Sequence, residues 1–344
     1  MSSAESEVLY PYGAALCAGQ IRQKPEDFKV TEQLGFKPTG EGEHLLLYVQ
    51  KKSLTTHQLI AEISQQLAIP ERQIGYSGLK DKHAVTRQWL SIQLPGCKEI
   101  PCFTESVQFQ VLESHRHDRK LRVGSHKSNK FEIVIRNITG SIDNLENVVE
   151  LIKSHGFANY FGEQRFGVQQ DNVAQALRVL NNRHKSKRLS RTKKSLYLSS
   201  LRSELFNQIL NLRIKKGIWL QPVEGDVCML SGSQSVFVEP INDQIRQRYN
   251  EFDIHSGISL SGIGESRLSS EALEIENEVF AANEEIIETL LQQKIKRSFR
   301  ANRIQVQNLT VEYHPEQAEM HVQVELEKGS YLTTLLSHFV TPQS

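Results

Sequence analysis

Residues 75–89 read GYSGLKDKHAVTRQW, a glycine turn followed by one acid between two cations and a strand-like tail. The two glycines permit a tight turn and the close approach of another chain. If the backbone after the turn is extended, Lys80 and Lys82 point to one side and Asp81 to the other. Neighbouring cations favour the ionised form of a carboxyl group, which suits a nucleophile or a base. The alternative is a solvated turn, in which such charges contribute little.

The length and composition favour a soluble protein of two domains. The chain has 344 residues, 38% of them hydrophobic and 24% charged. No apolar run approaches the roughly 20 residues of a membrane helix, and the N-terminus lacks a secretory pattern. We therefore expect a cytoplasmic protein without membrane contact. The cysteines are scattered and are expected to be reduced thiols, without zinc spacing: Cys17, Cys97, Cys102 and Cys228.

The charge is unevenly distributed although the net charge is only +1. Residues 115–130 and 183–194 are rich in Lys and Arg, whereas acids collect in 271–288. Such segregation favours contact between one face and a polyanion, and the alternative is that each run is a solvated loop. The candidates for contact with the backbone of such a polyanion are Arg116, Arg119, Lys120, Lys187, Arg188, Arg191, Lys193 and Lys194.

Hydrophobic periodicity predicts an α+β fold with a mixed or largely antiparallel sheet. Residues 54–67 have helical spacing, with Ser53 as the expected N-cap. Residues 119–124 are among the predicted strands, and helices are predicted over 171–181, 199–216 and 270–296. The strand-rich ends around a helix-rich middle indicate a second domain inserted into the first.

Aromatic residues lie beside basic ones in three places: Phe28, Phe131 and Tyr331. A base that leaves a nucleic acid stack needs an aromatic platform and a polar group that reads its edge. Asn129 is two residues before Phe131, and its amide presents a donor and an acceptor that suit uracil. The alternative for each aromatic residue is packing in the core.

Motifs for nucleoside triphosphates, dinucleotides, serine hydrolysis and zinc hydrolysis are missing from the sequence. The sequence resembles, over nearly its whole length, the TruD family of tRNA pseudouridine synthases. The resemblance is carried by KPEDFKVTE (24–32), GEGEH (40–44), GLKDKHAVTRQW (78–89), KSNKFEIVIR (127–136), NYFGEQRFG (159–167) and SLRSELFNQIL (200–210).

The resemblance implies an isomerase that converts uridine in tRNA, usually uridine 13 in the dihydrouridine arm, to pseudouridine. The nucleophilic aspartate of the family corresponds to Asp81, and its substrate pocket to Phe28, Asn129 and Tyr331, where the family often has Phe. Phe131 belongs to the same N-x-F element, and Lys80 and Lys82 would keep Asp81 charged and contact the substrate. No cofactor or metal is expected.

The resemblance also implies a discontinuous catalytic domain of the pseudouridine-synthase fold, residues 1–156 and 306–344, with a family-specific insert, 157–305. We expect a monomer with tRNA as its partner. Two other functions stay open, a catalytically silent RNA-binding protein and an RNA N-glycosidase. Whether Asp81 attacks the sugar, attacks the base or abstracts a proton also stays open.

Overall fold

The computed structural model describes residues 8–96, 99–167 and 170–343, with the side chains of all of these except Gln164 and Arg183. The chain divides into two compact units. The first contains the described part of Met1–Ala14 together with Glu150–Gln305 and Tyr331–His338. The second contains Ala15–Val149, Val306–Ser330 and Phe339–Ser344. The predicted bounds of the catalytic domain, 1–156 with 306–344, and of the inserted domain, 157–305, remain a prediction.

Strands and helices alternate along the chain. The strands are β1 (Cys17–Gln20), β2 (Phe28–Leu34), β3 (His44–Lys52), β4 (Ile74–Tyr76), β5 (Val85–Gln93), β6 (Phe109–His117), β7 (His126–Gly140), β8 (Phe157–Ala158), β9 (Val227–Leu230), β10 (Val236–Phe237), β11 (Ile254–Leu260), β12 (Ser298–Ala301), β13 (Arg303–Ile304), β14 (Gln307–His314), β15 (Glu319–Glu327) and β16 (Thr341–Gln343). The α-helices are α1 (Thr56–Leu67), α2 (Leu145–His155), α3 (Asn172–Leu180), α4 (Arg183–Lys187), α5 (Arg191–Lys215), α6 (Asp243–Asn250), α7 (Ser270–Ala281), α8 (Glu284–Gln292) and α9 (Leu332–Leu336). Short 3₁₀ turns span Pro25–Asp27, Glu71–Gln73 and Glu163–Arg165.

The second unit is built on one large sheet with the strand order β14-β15-β7-β2-β5-β3-β6. The β2–β5 pair is parallel, and the other neighbours in this order are antiparallel. β1 pairs with both β7 and β16, and β4 pairs with β5. The mixed sheet confirms the fold class predicted from the sequence.

Helix α1 covers one face of β3 and β5 with an apolar core. Leu59 and Ile63 of α1 are buried together with Leu47 of β3 and Leu90 of β5. The predicted N-cap, Ser53, is wrong. The side chain of Thr55 caps α1 by accepting the N–H of Gln58 at 3.1 Å, whereas Ser53 has a left-handed backbone with φ 55°.

Helix α5 forms the centre of the first unit. Its residues Leu201, Leu205 and Phe206 are buried in a cluster that includes residues of α3, α7 and α8. Strands β10-β9-β11-β12 form a four-stranded sheet in the same unit, and β8 pairs with β13. The predicted start of this helix at 199 is wrong, because the Ser190 side chain caps it and α5 begins at Arg191.

Two other predictions of single elements are also wrong. The predicted helix 270–296 is divided at Asn283, whose side-chain amide donates to the backbone oxygen of Val279 at 2.8 Å. The predicted strand 119–124 is irregular, because the N–H of Leu121 bonds to Oγ of Ser91 at 2.9 Å instead of a neighbouring strand.

Two sequence expectations concern the chain as a whole. Cys17, Cys102 and Cys228 are free thiols, and Cys97 lies outside the described residues. Across 8–96, 99–167 and 170–343, no helix has both the length and the apolar character to cross a membrane.

Candidate active site around Asp81

Asp81 lies in the segment 77–84, between β4 and β5 of the second unit. Its side chain is 47% exposed, and its Oδ2 atom accepts a hydrogen bond from Nη2 of Arg22 at 3.1 Å. The guanidinium carbon of Arg22 also lies 4.1 Å from the centre of the Phe28 ring. The carboxylate is therefore open to a ligand while a cation, itself stacked on an aromatic ring, holds it in place.

Arg22 was not predicted from the sequence, and it lies 59 residues before Asp81 in the chain. Its backbone has a positive φ of 60°, a conformation that residues with a Cβ rarely adopt. Its Nε atom is buried and has no acceptor within the described parts of the chain. Such a constrained backbone is common at functional sites, but the surrounding sequence, GQIRQK, gives no sign of it.

Lys80 and Lys82 do not share a face, so this premise of the sequence analysis is wrong. The Lys80 side chain is 5% exposed, and its Nζ atom donates to Oε2 of Glu32 at 2.6 Å. Lys82, by contrast, is exposed. Strand alternation fails because 77–84 lies outside any strand, with bends at 77–78 and 82–84. Lys80 therefore faces a buried carboxylate, and Lys82 is the lysine of this pair that faces solvent.

A buried polar network lies beneath Asp81. The backbone N–H of Lys80 donates to Oγ1 of Thr56 at 3.0 Å, and that hydroxyl donates to Oε1 of Gln88 at 3.0 Å. Glu32, the partner of Lys80, also accepts the backbone N–H of Trp89 at 3.1 Å. These bonds connect the segment that carries Asp81 to α1, β2 and β5 and limit its movement.

Lys51 fixes the backbone of Asp81 itself. This residue of β3 is completely buried, and its Nζ atom donates to the carbonyl oxygens of Asp81 at 2.8 Å and of Leu54 at 2.5 Å. Burial lowers the pKa of Lys51 to about 8, and the negative charge of Asp81 acts in the opposite direction. Lys51 was not singled out from the sequence, where it is one of two adjacent lysines.

The candidate base-binding residues of the second unit share one face of β2 and β7. In the register of these strands Val30 lies opposite Phe131, and Glu32 lies opposite Asn129. Phe28 is 2% exposed and meets Phe131 edge to face, with ring centres 6.4 Å apart. Oδ1 of Asn129 is buried without a hydrogen-bond partner among the described residues, so this acceptor is available.

Tyr331 belongs to the first unit, where its hydroxyl accepts a hydrogen bond from Nη2 of Arg165 at 2.7 Å. Its ring meets that of Phe161 edge to face at 6.1 Å. The guanidinium carbon of Arg300 lies 4.1 Å from the centre of the Phe161 ring, and burial lowers the pKa of Arg300 to about 10. Arg165 and Phe161 come from the NYFGEQRFG motif, so this motif contacts Tyr331 directly.

The cations predicted to contact an RNA backbone fall into two groups, those that already bond to other groups of the protein and those without an ion pair. In the second unit Arg116 donates to the carbonyl of Glu99, Arg119 pairs with Asp118, and Lys120 donates to the carbonyl of Arg72. In the first unit, five cations at the end of α4 and the start of α5 form no ion pair within the described residues: Lys187, Arg188, Arg191, Lys193 and Lys194. Within the described residues, the second group therefore has no acidic side chain that would compete with a ligand.

Among the side chains that the structure describes, no three His, Cys, Asp or Glu residues come together at one point. His115 and His117, which flank Arg116, lie near Glu113 and Asp118 respectively, as separate pairs.

Comparison with solved structures establishes the fold. A crystal structure of a putative tRNA pseudouridine synthase D from Methanosarcina mazei aligns with a TM-score of 0.76 and 23% identity, over 96% of this chain and 95% of the other. This agreement confirms the predicted pseudouridine-synthase type of fold.

Sequence comparison identifies relatives of nearly the same length. tRNA pseudouridine synthase D of Methylococcus capsulatus is 38% identical over 332 residues, which is 96% of this chain and 93% of that protein. tRNA pseudouridine synthase D of Legionella pneumophila is 37% identical over 334 residues, 96% of this chain and 97% of that protein. The family model for tRNA pseudouridine synthase D (TruD) matches residues 7–183 and 173–339. The chain therefore belongs to the tRNA pseudouridine synthase D (TruD) family.

Proposed function

We propose that the protein isomerises uridine in tRNA to pseudouridine, at position 13 in the dihydrouridine arm, and that Asp81 acts on the flipped-out nucleotide. The observation that carries the proposal is the half-exposed Asp81 carboxylate, held by Arg22 and fixed through its backbone by Lys51. A reactive group that must meet one atom of a bound nucleotide needs such positioning.

The reaction needs no redox partner. The bond between N1 of uracil and C1′ of ribose breaks, a bond between C5 and C1′ forms, C5 loses a proton and N1 gains one. The Asp81 carboxylate serves as a nucleophile or a base in these steps, as carboxylates do at the anomeric carbon in retaining glycosidases. We accordingly propose that a cytoplasmic monomer acts on tRNA without a cofactor or metal.

The surrounding side chains suit recognition of uracil. The free Oδ1 acceptor of Asn129 can take the N3–H of uracil, whereas cytosine has a bare N3 acceptor at that place. The guanidinium of Arg22 lies over the ring of Phe28, which meets Phe131 edge to face, and we propose that this aromatic and cationic group contacts the base. We propose that Tyr331 and Lys82 also contact the RNA, Lys82 at its backbone. Lys80 acts through Glu32, beneath the site.

The test is incubation with unmodified tRNA and mapping of pseudouridine at nucleotide resolution. We expect one modified position, uridine 13, and loss of product in Asp81→Asn by at least roughly 10²-fold with tRNA affinity retained. Bound tRNA without product would identify a silent RNA-binding protein, and free uracil would identify an N-glycosidase. Either result would refute the proposal.

A further inference from the structure

A second candidate pocket lies within the first unit, along one side of α5. It is a cavity of about 430 Å³, within the roughly 300–1,000 Å³ range of small-ligand sites. Arg191, Lys194, Leu198 and Arg202 line it at spacings of three and four residues, which places them on one face of the helix.

The cations of this pocket have no carboxylate partner within the described residues. Arg202 donates through Nη2 to the carbonyl oxygen of Leu260 and to Oγ of Ser298, both at 2.7 Å, and both acceptors are neutral. Its Nε atom is buried and finds no acceptor in the part of the chain that the structure describes. The pocket therefore presents uncompensated positive charge to an anion.

A buried hydroxyl also points to a ligand. Ser203 lines the pocket and is only 1% exposed, yet its Oγ atom has no hydrogen-bond partner among the described residues. Buried polar groups are nearly always satisfied, and a bound polar molecule would satisfy this one. The rest of the lining combines the apolar side chains of Phe161, Leu198, Leu260 and Ile295 with Ser195 and Ser199.

Another cavity of the same unit, of about 490 Å³, lacks this combination. Glu265 lies in its wall, and its Arg297 is already paired with Glu276 at 2.6 Å. Its charge is mixed and partly neutralised. The pocket along α5 differs in having cations, a free hydroxyl and an apolar wall together, which are the groups that contact the phosphate, the sugar and the base of a nucleotide.

We propose that the pocket along α5 binds one unstacked nucleotide of the RNA substrate, a different nucleotide from the uridine on which Asp81 acts. Arg191 and Lys194 contact its phosphate, Arg202 and Ser203 donate to its polar groups, and its base lies against Leu198. This inference rests on the proposed function, because it takes RNA as the substrate. The pocket along α5 would then be a second site, besides that of Asp81, at which the protein selects its RNA.

The decisive variant is Leu198→Trp, which fills the pocket without changing the charge. Its matched control is Leu196→Trp, since Leu196 is an exposed leucine of the same helix and does not line the pocket. The affinity for fluorescently labelled tRNA is measured by anisotropy, which needs no turnover, and the single-turnover rate is measured at saturating tRNA. We expect Leu198→Trp to weaken tRNA binding roughly tenfold with an unchanged saturated rate, and Leu196→Trp to change neither.

A second variant guards against misfolding. Ser203→Ala removes a hydroxyl that makes no hydrogen bond in the described structure, so it should melt like the wild type and still weaken tRNA binding. Unchanged tRNA affinity in both Leu198→Trp and Ser203→Ala would overturn the inference. Uridine monophosphate could also raise the melting temperature of the wild type while both variants keep their tRNA affinity. That result would assign the pocket to a free nucleotide and would likewise overturn the inference. Failure of the proposed function would give a different result, in which the wild type binds tRNA but forms no pseudouridine.

Discussion

Replacing Lys51 by Met tests whether the buried ammonium positions the backbone of Asp81. Lys51 donates to the carbonyl oxygens of Asp81 and Leu54 and is fully buried. Methionine is unbranched and flexible, so it fills most of the same space without a charge or a hydrogen-bond donor. The substitution thus removes the link to Asp81 and leaves the Asp81 side chain unchanged.

Two opposing effects on stability nearly cancel. Burial lowers the pKa of Lys51 from 10.5 to about 8, and at 1.36 kcal/mol per unit the buried charge costs about 3 kcal/mol at neutral pH. Two carbonyl groups that lose their partner cost about 1–3 kcal/mol each. The free energy of unfolding should therefore stay within about 3 kcal/mol of the wild type. Activity should fall much further, by roughly 10²-fold, because a shift of about 1 Å in a reacting group has that effect.

The assay combines chemical denaturation at neutral pH with the single-turnover rate of pseudouridine formation at saturating tRNA. Lys52→Met is the matched control, since Lys52 is the adjacent residue and its half-exposed ion pair with Glu26 contributes little. We expect this control to match the wild type in both measurements. A folded Lys51→Met variant with a rate within about threefold of the wild type would refute the positioning role.

Four further predictions follow from the same structure. The unfolded chain holds the Lys51 proton up to its ordinary pKa of 10.5 and the folded chain only up to about 8, so the unfolded state binds more protons between these values. Stability should accordingly rise with pH in this window for the wild type relative to Lys51→Met, as comparison of their melting temperatures will show. Lys80→Met should cost about 3–5 kcal/mol in denaturant melts because Glu32 is left buried and unpaired, and Lys80→Met with Glu32→Gln should recover much of it; no recovery would contradict the buried pair. Phe28→Ala should lower both stability, by about 3–5 kcal/mol for a buried aromatic, and the rate per folded molecule, and a preserved rate would show that Phe28 is only a core residue. Neutralising Lys187, Arg188, Arg191, Lys193 and Lys194 together should flatten the salt dependence of tRNA binding by roughly 0.7–0.9 in the log–log slope for each phosphate that no longer has a cation beside it, and an unchanged slope would mean that this run is solvated.

The sequence was enough to single out Asp81 as a candidate and to place Phe28 and Phe131 on strands. Period-two spacing places Asn129 and Phe131 on one face of a strand, and the structure shows that this face of β7 lies beside Phe28. Glycines before Asp81 marked the turn. What periodicity could not reveal is which strands are neighbours, because register depends on contacts between residues far apart in the chain.

The remaining site residues depend on such distant contacts. Lys80 and Lys82 are the same residue type two positions apart, and only the path of β2, which brings Glu32 beneath the segment, distinguishes them. Arg22 and Lys51 likewise have no local signal of their link to Asp81, which lies 59 and 30 residues further along the chain. The start of α5 was predicted wrongly for a more local reason. The first residues of the helix are a basic stretch without an apolar face, so periodicity did not detect them, whereas the Ser190 side chain caps the helix before this stretch.

The strand order of the large sheet also determines when the second unit can be completed during synthesis. β7 pairs through residues 128–135 with β15, a strand that leaves the ribosome after all of Glu150–Gln305. The continuous Glu150–Gln305 segment has its own buried cluster around α5 and can condense while the edge of β7 is still open. Nascent chains therefore pass through a stage with an unpaired inner strand, and an open edge of this kind favours wrong pairing between chains. Slow translation between 305 and 327 would prolong that stage, so the yield of folded enzyme should depend on how fast the final residues are made.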